Sequence, residues 1–548
     1  MISERKIEGE FAKKLEAFEQ FVLNLKEGSR QKIEVAVDTP FDGASFMVEA
    51  LQNYFPFSSS ANDDLNVEDR KVMIPRCRDA YNNDLLGKAC VNRVVKSTVG
   101  VSGLNAKSTV DREVTGLTRK QTKKLQRFFN RAWKRFTKAK NCDVAAQDNF
   151  KTILKKLMLA KCVDGDVLVN TISKKFGNEE FFLKIQLIEG ERVSNEGETE
   201  DVPPIDGQNG ITQGIEHNLL GRHVAYFVRE AHPGDTIDVS RVYKWKRIPA
   251  YGEATGRRRV FFISPFGRID QKRGVPMLAV ALDKLKTIKQ YSRHELLAAA
   301  LQALYTVFVK NISPVDDSIH NENNNIVKNP RFDQKKNVQL GSGTVAYLGK
   351  DQDVTMADPT RPNQNYEAFQ MAQYKELGAG LDIPYEYLIY VFNTSYTAAR
   401  ASFVQIDARV KDERFDLVSD FCLPIWELFI LELLEQHELP DYIEDLIDFD
   451  RLYSDRDYFD SLIGVTFSGS KIGSIDEVKD ATSAKIRLET GVSEYDKEIN
   501  NIHGDQDFES ITERLGEQKE KRDSLGLTKI EKSVVSPKAE EERGIDEE

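Results

Sequence analysis

The chain is poor in cysteine, with five in 548 residues (Cys77, Cys90, Cys142, Cys162 and Cys422), odd in number and without a CxxC pair. Thiols scattered in this way argue against a disulfide framework or a zinc ribbon and read as buried thiols of a reducing compartment. Long apolar runs are missing too. No stretch approaches the ~20 residues needed to cross a bilayer. The opening MISERKIEGEFAKKLEAFEQFVLNLKEG has the pattern of a charged amphipathic helix, without a signal-peptide core. There is no basic excess: 77 Lys and Arg against 88 Asp and Glu give a formal charge of −11. That argues against a conventional basic nucleic-acid-binding protein while leaving room for local basic patches.

Catalytic signatures are equally scarce. GSGTVAYLGKD (341–351) has the flavour of a phosphate loop, but its glycine spacing is wrong and Asp351 stands where Ser or Thr would hold magnesium. A β-turn between short strands explains it better. His294-Glu295 lacks a second histidine one turn on, so a zinc-protease helix fails. The seven histidines are dispersed and no GxSxG elbow occurs. Asp455/Asp457 and Asp505/Asp507 lie in polar contexts that suit caps and turns. The expectation is a protein that is not an enzyme and needs neither metal nor cofactor.

What is present is size and helix. At 548 residues the chain exceeds what one hydrophobic core supports, so several lobes are expected. The most organised stretch runs from Asn365 to Leu434. Tyr366, Phe369, Leu377 and Leu381 recur at helical spacing, Gly378 and Gly380 weaken the helix end, and Pro384 forces Ile383 out of helical geometry. An aromatic run follows, with Tyr385, Tyr387, Tyr390 and Phe392. Thr394 or Ser395 can cap a second, long helix whose stripe is Ala399, Phe403, Ile406, Val410, Leu417, Phe421, Ile425 and Leu428, with Pro424 set to kink it.

Elsewhere, residues 73–104 place Leu86, Cys90 and Val94 on one helical face. Residues 119–163 read as two helices, the first with a basic outer side (Arg119, Lys120, Lys123, Lys124, Arg127) that suits a solvated face better than a DNA site. DVLVNTI, FFLKIQLI, HVAYFVRE and RRVFFI make 165–265 strand-rich. A helix is expected over 277–309, with Leu278, Leu285, Ile288, Leu304 and Phe308 apolar and Lys284, Lys286, Lys289 and Arg293 forming a basic region. NVQLGSGTVAYLG and DVTM are expected to be short strands, and the acidic end has almost nothing to bury.

Five segments in series resemble the lambda-type portal protein family of tailed bacteriophages: RDAYNNDLLGKACVNRVVKSTVGVSGL (78–104), GIEHNLLGRHVAYFV (214–228), QKRGVP (271–276), NYEAFQMAQYKELGAGLDIPYEYL (365–388) and NTSYTAARASF (393–403). A weaker match covers 475–505. The sequence departs from the pattern after PYEYL, where IYVF replaces a Gly-Asp-Phe-like turn, and near Phe467, where a tryptophan would be usual.

The resemblance implies an α+β portal fold with a helical stem, a small α/β clip, a β-rich and helical wing and a helical crown, assembled as a ring. On this reading 1–72 is peripheral and 73–276 is the first part of the wing. A stem helix (277–310), the clip (311–362) and a second stem helix (363–381) follow. Then come a channel loop (382–394), the C-terminal wing with its long helix (395–470), a crown (471–527) and a disordered acidic tail (528–548). The expected channel-loop residues are Tyr385, Glu386, Tyr387, Tyr390, Phe392 and Asn393. Lys284, Lys286, Lys289 and Arg293 face either the stem lumen or outer solvent.

The implied partners are further copies of the chain, typically in a dodecamer, the terminase large subunit, a head-tail adaptor, the major capsid protein and scaffold. Double-stranded DNA would be contacted without sequence specificity, and no membrane is involved. The implied place is the portal vertex of the virion, with host cytoplasm during assembly. The alternatives are another structural virion protein, such as a capsid or tail-hub subunit, and a nucleic-acid enzyme built from dispersed carboxylates.

Overall fold

The computed structural model describes residues 50–525 apart from 51–52, 55, 57, 178, 266, 304–306, 312–351, 357–364, 393–394, 437–438, 471–476, 496 and 500–507. The expected N-terminal helix, the HNENNN and GSGTVAYLG segments and the acidic tail lie outside the described residues. The chain divides after Asp64. In the first unit the described end is a turn in which Ser60 Oγ donates to Asp63 Oδ2 at 2.7 Å. The elements below belong to the second unit.

That unit opens with helices α1 (Val67–Asn83) and α2 (Leu85–Val99). Asn66 caps α1 by accepting from Asp69 N (2.8 Å), and Asp84 caps α2 by accepting from Leu86 N and Gly87 N. Cys90, Val91, Val94 and Val95 form the buried face of α2, as the spacing predicts. Strand β1 (Leu104–Ser108) and helices α3 (Arg119–Phe136) and α4 (Phe150–Val163) follow. Thr118 and Gln121 close a capping box on α3. Four of the five basic residues on the outer side of α3 are exposed, Lys123 being half-buried, so that run is largely a solvated face.

The β-rich lobe is two antiparallel sheets. In the first, β2 (Val167–Ser173) lies between β3 (Leu183–Glu189) and β8 (Val260–Ile263). The second is a meander of β4 (Gly210–Thr212), β5 (Ile215–His217), β6 (His223–Arg229) and β7 (Trp245–Pro249). One apolar cluster takes Leu168, Ile188 and Val260 from the first sheet and Ile215, Tyr226 and Val228 from the second.

Helix α5 (Leu282–Ala303) is followed by β9 (Val307–Asn311), which pairs antiparallel with β10 (Gln352–Met356). Phe308, expected as the last apolar position of a helix, is therefore a strand residue opposite Thr355. The run VFV explains the difference, since β-branched and aromatic residues pack on a pleated surface better than in a helix. DVTM lies in β10, as expected. Helix α6 (Tyr366–Gly380), short helix α7 (Tyr385–Ile389), long helix α8 (Tyr396–Leu417) and α9 (Leu423–Gln436) come next. Between α8 and α9 residues 418–422 form one π-helical turn, in which Leu423 N bonds Val418 O. Pro424 has no N–H to donate to the carbonyl four residues back, so the expected kink takes the form of a widened turn. Helix α10 (Arg456–Ile463), strand β11 (Val465–Gly469), which pairs with β1, and helices α11 (Glu477–Glu489) and α12 (Phe508–Ser524) complete the fold.

The main core is aromatic. Trp133 of α3 meets Phe150, Trp426 and Phe429, each with ring centroids 5.1 Å away. Phe467 packs edge-on against Trp133 and Trp426 at 6.1 and 6.4 Å. A phenylalanine thus fills this part of the core. All five cysteines are free and buried, and burial pushes the thiols of Cys77, Cys90, Cys142 and Cys162 up to about 12.

One polar cluster joins the helices to the β lobe. Asp166, fully buried before β2, accepts from Arg273 Nε and Nη2 at 2.7 and 2.9 Å and from Gly274 N at 3.2 Å. Arg273 also donates to the carbonyls of Val193, Gln213 and Gly190. Arg70 of α1 completes the group at 3.4 Å from Asp166. Beside it two glycine backbones touch: a Cβ on Gly165 would sit 2.4 Å from Gly274 O, and one on Gly274 would sit 2.1 Å from Gly165 O. Burial opposes ionisation of Asp166, but the charges of Arg273 and Arg70 and the bonds from Arg273 and Gly274 win and hold its pKa below the ordinary carboxylate value.

Asp166→Asn leaves Arg273 charged and unpaired in the interior, so it should destabilise the unit by ~3–5 kcal/mol at neutral pH in denaturant titration. Because the folded pKa of Asp166 is depressed, its contribution is complete above the unfolded value of ~3.9 and is lost as pH falls through the folded value. His223, held down to about 4 first by burial and then by Lys272 and Arg258, adds a loss that begins near its ordinary 6.5. The wild type should therefore lose stability continuously below about pH 6.5, while Asp166→Asn removes the most acidic part of that dependence.

Candidate functional site

The expected stem is an antiparallel pair, α5 and α6. Leu278, Ala281, Leu285 and Ile288 are buried at its base. Farther along, Tyr291 stacks on Tyr366 (5.7 Å) and meets Phe369 (4.8 Å), and Ser292 Oγ accepts from Gln370 Nε2 (2.7 Å) and Tyr366 OH (3.2 Å). Beyond this crossing the apolar positions turn outward: Leu296 is 73% and Leu297 56% exposed.

The basic residues of α5 divide. Lys284 pairs with Glu376 of α6, Lys286 with Asp79 of α1 at 2.9 Å, and Lys289 donates to Asn83 O at 2.8 Å. These three tie the base of the stem to its neighbours. Arg293, one turn farther, is exposed.

After α6 the chain turns sharply. Ile383 N bonds Gly378 O at 2.8 Å, and a Cβ on Gly378 would lie 2.5 Å from Ile383 O, so only glycine admits this approach. Asp382 takes φ 52°, and the strap 382–392 ends its helical part at Tyr390, also left-handed at φ 56°. The expected loop therefore contains helix α7, whose amides of Tyr387 and Leu388 bond Pro384 O. Ile383 and Leu388 are buried. Glu386 is buried as well and accepts from Ser402 Oγ of α8 at 3.4 Å, so its carboxylate is turned inward.

Tyr385 lies half-buried with Lys375 5.2 Å from its ring. Tyr387 is half-buried too, its pKa raised by burial and by Tyr390. Tyr390, 58% exposed, and Phe392, 38% exposed, are the outward rings; Phe392 stacks on Phe403 of α8 at 5.5 Å. Asn393 lies outside the described residues. Ser395 caps α8 by accepting from Ala398 N, one of the two caps expected.

Sequence reasoning missed Arg93 of α2, which organises this strap. Its Nε and Nη2 donate to the carbonyls of Tyr387 and Leu388 at 3.1 and 3.4 Å, satisfying the end of α7. Its guanidinium also stacks 3.4 Å from the Tyr390 ring centroid. One cation thus fixes the backbone of the strap and the side chain at its tip. The only signal was its place within the 78–104 segment.

A family model described as phage portal protein, lambda family, matches residues 49–414, two thirds of the sequence. The chain is a phage portal protein by that match. It belongs to the lambda family of these proteins. Among curated relatives, the probable portal protein of Halomonas phage phiHAP-1 is 23% identical over 70% of this chain and 68% of its own length. Portal protein B of Escherichia phage lambda is 22% identical over 74% and 76%. The neck of a native gene transfer agent particle, computed with C12 symmetry, is similar over 78% of this chain and 92% of that chain, at 9% identity and a TM-score of 0.41.

Arg93→Ala should loosen the strap by ~2 kcal/mol, from the lost stack and charge-assisted bonds. Amide exchange at 386–391 should then speed up about thirtyfold, with little change in global melting. Arg93→Lys should recover only part of the protection, because an ammonium cannot stack and fork together. Unchanged exchange in Arg93→Ala would show that the strap holds itself.

Proposed function

We propose that this chain is the subunit of a closed ring, typically of twelve copies, set at one capsid vertex, through which double-stranded DNA is packaged by the terminase and later ejected. The observation that carries the proposal is the stem: α5 and α6 leave Leu296 and Leu297 exposed beyond their mutual crossing, and Phe369 45% exposed at it. An apolar face of this kind on a helix pair is covered economically by the same pair in adjacent copies. Family membership supports the rest of the reading, including the virion as its place and structural rather than catalytic work.

In this reading Tyr390 and Phe392 lie along the channel and brush the duplex without base-specific contact. Tyr385, Tyr387 and Glu386 support them from beneath, and Lys286 and Arg293 are the exposed stem cations available to the lumen. The clip, 311–362, meets the terminase large subunit and afterwards the head-tail adaptor. The wing contacts major capsid protein and scaffold. Among the described residues no helix is long and apolar enough to cross a membrane.

Negative-stain images of the purified chain should contain closed rings with a central pore, and monomer alone at capsid-like concentration would overturn the reading. Tyr390→Ala combined with Phe392→Ala should keep rings and stability within about 1 kcal/mol, as exposed positions do, while lowering DNA packaging or retention. A large loss of stability instead would identify both rings as core.

A further inference from the structure

The four-stranded meander carries exposed apolar residues at both of its ends. At one end the turn between β5 and β6 is built by Asn218 and Gly221. Asn218 N bonds Arg222 O at 3.0 Å, the Asn218 side chain accepts from Leu220 N and Arg222 N, and Gly221 takes φ 81°. Leu219 and Leu220 at the apex do nothing for this turn, yet both are exposed, Leu220 by 91%. The turn 268–271, closed by Gln271 N on Arg268 O at 3.1 Å, holds Ile269 equally exposed. Lys272 Nζ donates to Gly221 O at 3.4 Å, which sets the two turns side by side.

At the other end of β6 the connection to β7, residues 230–244, is fixed in the same way. Asp235 N bonds His232 O at 2.9 Å, Asp235 Oδ1 accepts from Ile237 N at 2.9 Å, and His232 meets Glu191 at 2.8 Å. This loop presents Ile237, 95% exposed, with Val239 and Tyr243 also outward. Single exposed apolar residues are ordinary. Here two clusters stand on hydrogen-bonded turns that cannot fold back to hide them, so each leaves water only by meeting another surface.

The two ends differ in charge. The first carries Arg222, Arg268 and Lys272 with Asp270, a net positive set; the second carries Glu230, Asp235 and Asp238 with Arg241 and Lys244, a net negative one. The seven residues of β6 separate them by about 23 Å, too far for one end to cover the other within a subunit.

We propose that these ends meet between neighbouring copies of the chain, the knob of Leu219, Leu220 and Ile269 on one subunit seating on the loop of Ile237, Val239 and Tyr243 on the next. Head-to-tail contact in a ring joins two different patches of one chain, and unlike, oppositely charged apolar ends of one sheet meet that requirement. A two-fold contact would instead set each charge against its own kind. The inference rests on the ring reading and adds to the stem a second contact, in the β lobe.

The test uses the full-length protein carrying Leu220→Cys and Ile237→Cys together, treated with a short bismaleimide. The five natural cysteines are buried, which confines the reagent to the introduced thiols. A ladder of covalent oligomers is expected on a denaturing gel, with 220 of one copy linked to 237 of another in the mass spectrum. Either cysteine alone should give no ladder, and the two single variants mixed before assembly should give linked dimers. In parallel, Leu219→Ser with Leu220→Ser, at exposed positions that leave the fold intact, should raise the concentration at which rings fall apart about tenfold or more. Rings in negative stain with no 220–237 link and unchanged dissociation reject this contact and leave the ring reading standing, whereas absence of rings removes both. Links from 220 to 220, or only to added major capsid protein, also overturn the proposal.

Discussion

The constraint on which the junction of helices and β lobe depends is the burial of one carboxylate. Asp166 has no access to water, so its charge must be answered inside, and Arg273 answers it while also taking up three backbone carbonyls. Those carbonyls belong to the turn after β3, to Val193 and to the turn before β5, and Arg70 brings in α1. Four separated stretches of sequence are thereby held around one anion. The contact of Gly165 with Gly274 is part of the same arrangement, because a side chain at either glycine would push Arg273 away from its partner. The segment QKRGVP is therefore a structural clasp, in which the arginine supplies charge and the glycine supplies closeness.

Much of the helical organisation was legible in the sequence because period and punctuation agreed. The end of α6, the Ser395 cap, the buried face of α2 and the disturbance at Pro424 all follow from local rules. So do the strands of the β lobe, where β-branched and aromatic residues alternate between turns. Phe308 was misjudged because a short apolar run fits a helix tail and a strand equally well until its pairing partner is known.

The side chains of the candidate site were less legible, since their roles depend on residues far away in sequence. Nothing in the α5 pattern points Lys286 at Asp79 or Lys289 at Asn83. Glu386 sits among tyrosines in a run that reads as exposed, yet it meets Ser402 one helix later. Arg93, nearly 300 residues before Tyr387, leaves no local trace of the contact it makes.

The π-turn between α8 and α9 has a geometric result. An α-helix advances each residue by about 100° around its axis, so one residue absorbed into a wider turn shifts the phase of everything after it. Before the turn, Ile406 and Val410 of α8 are buried on the side that serves α2 and the strap; after it, Ile425, Trp426 and Phe429 of α9 are buried in the aromatic core around Trp133. A straight helix of this length would carry a single seam. With its phase reset at 418–422, the same rod presents two seams, one packed on the strap and α2 and the other in the aromatic core.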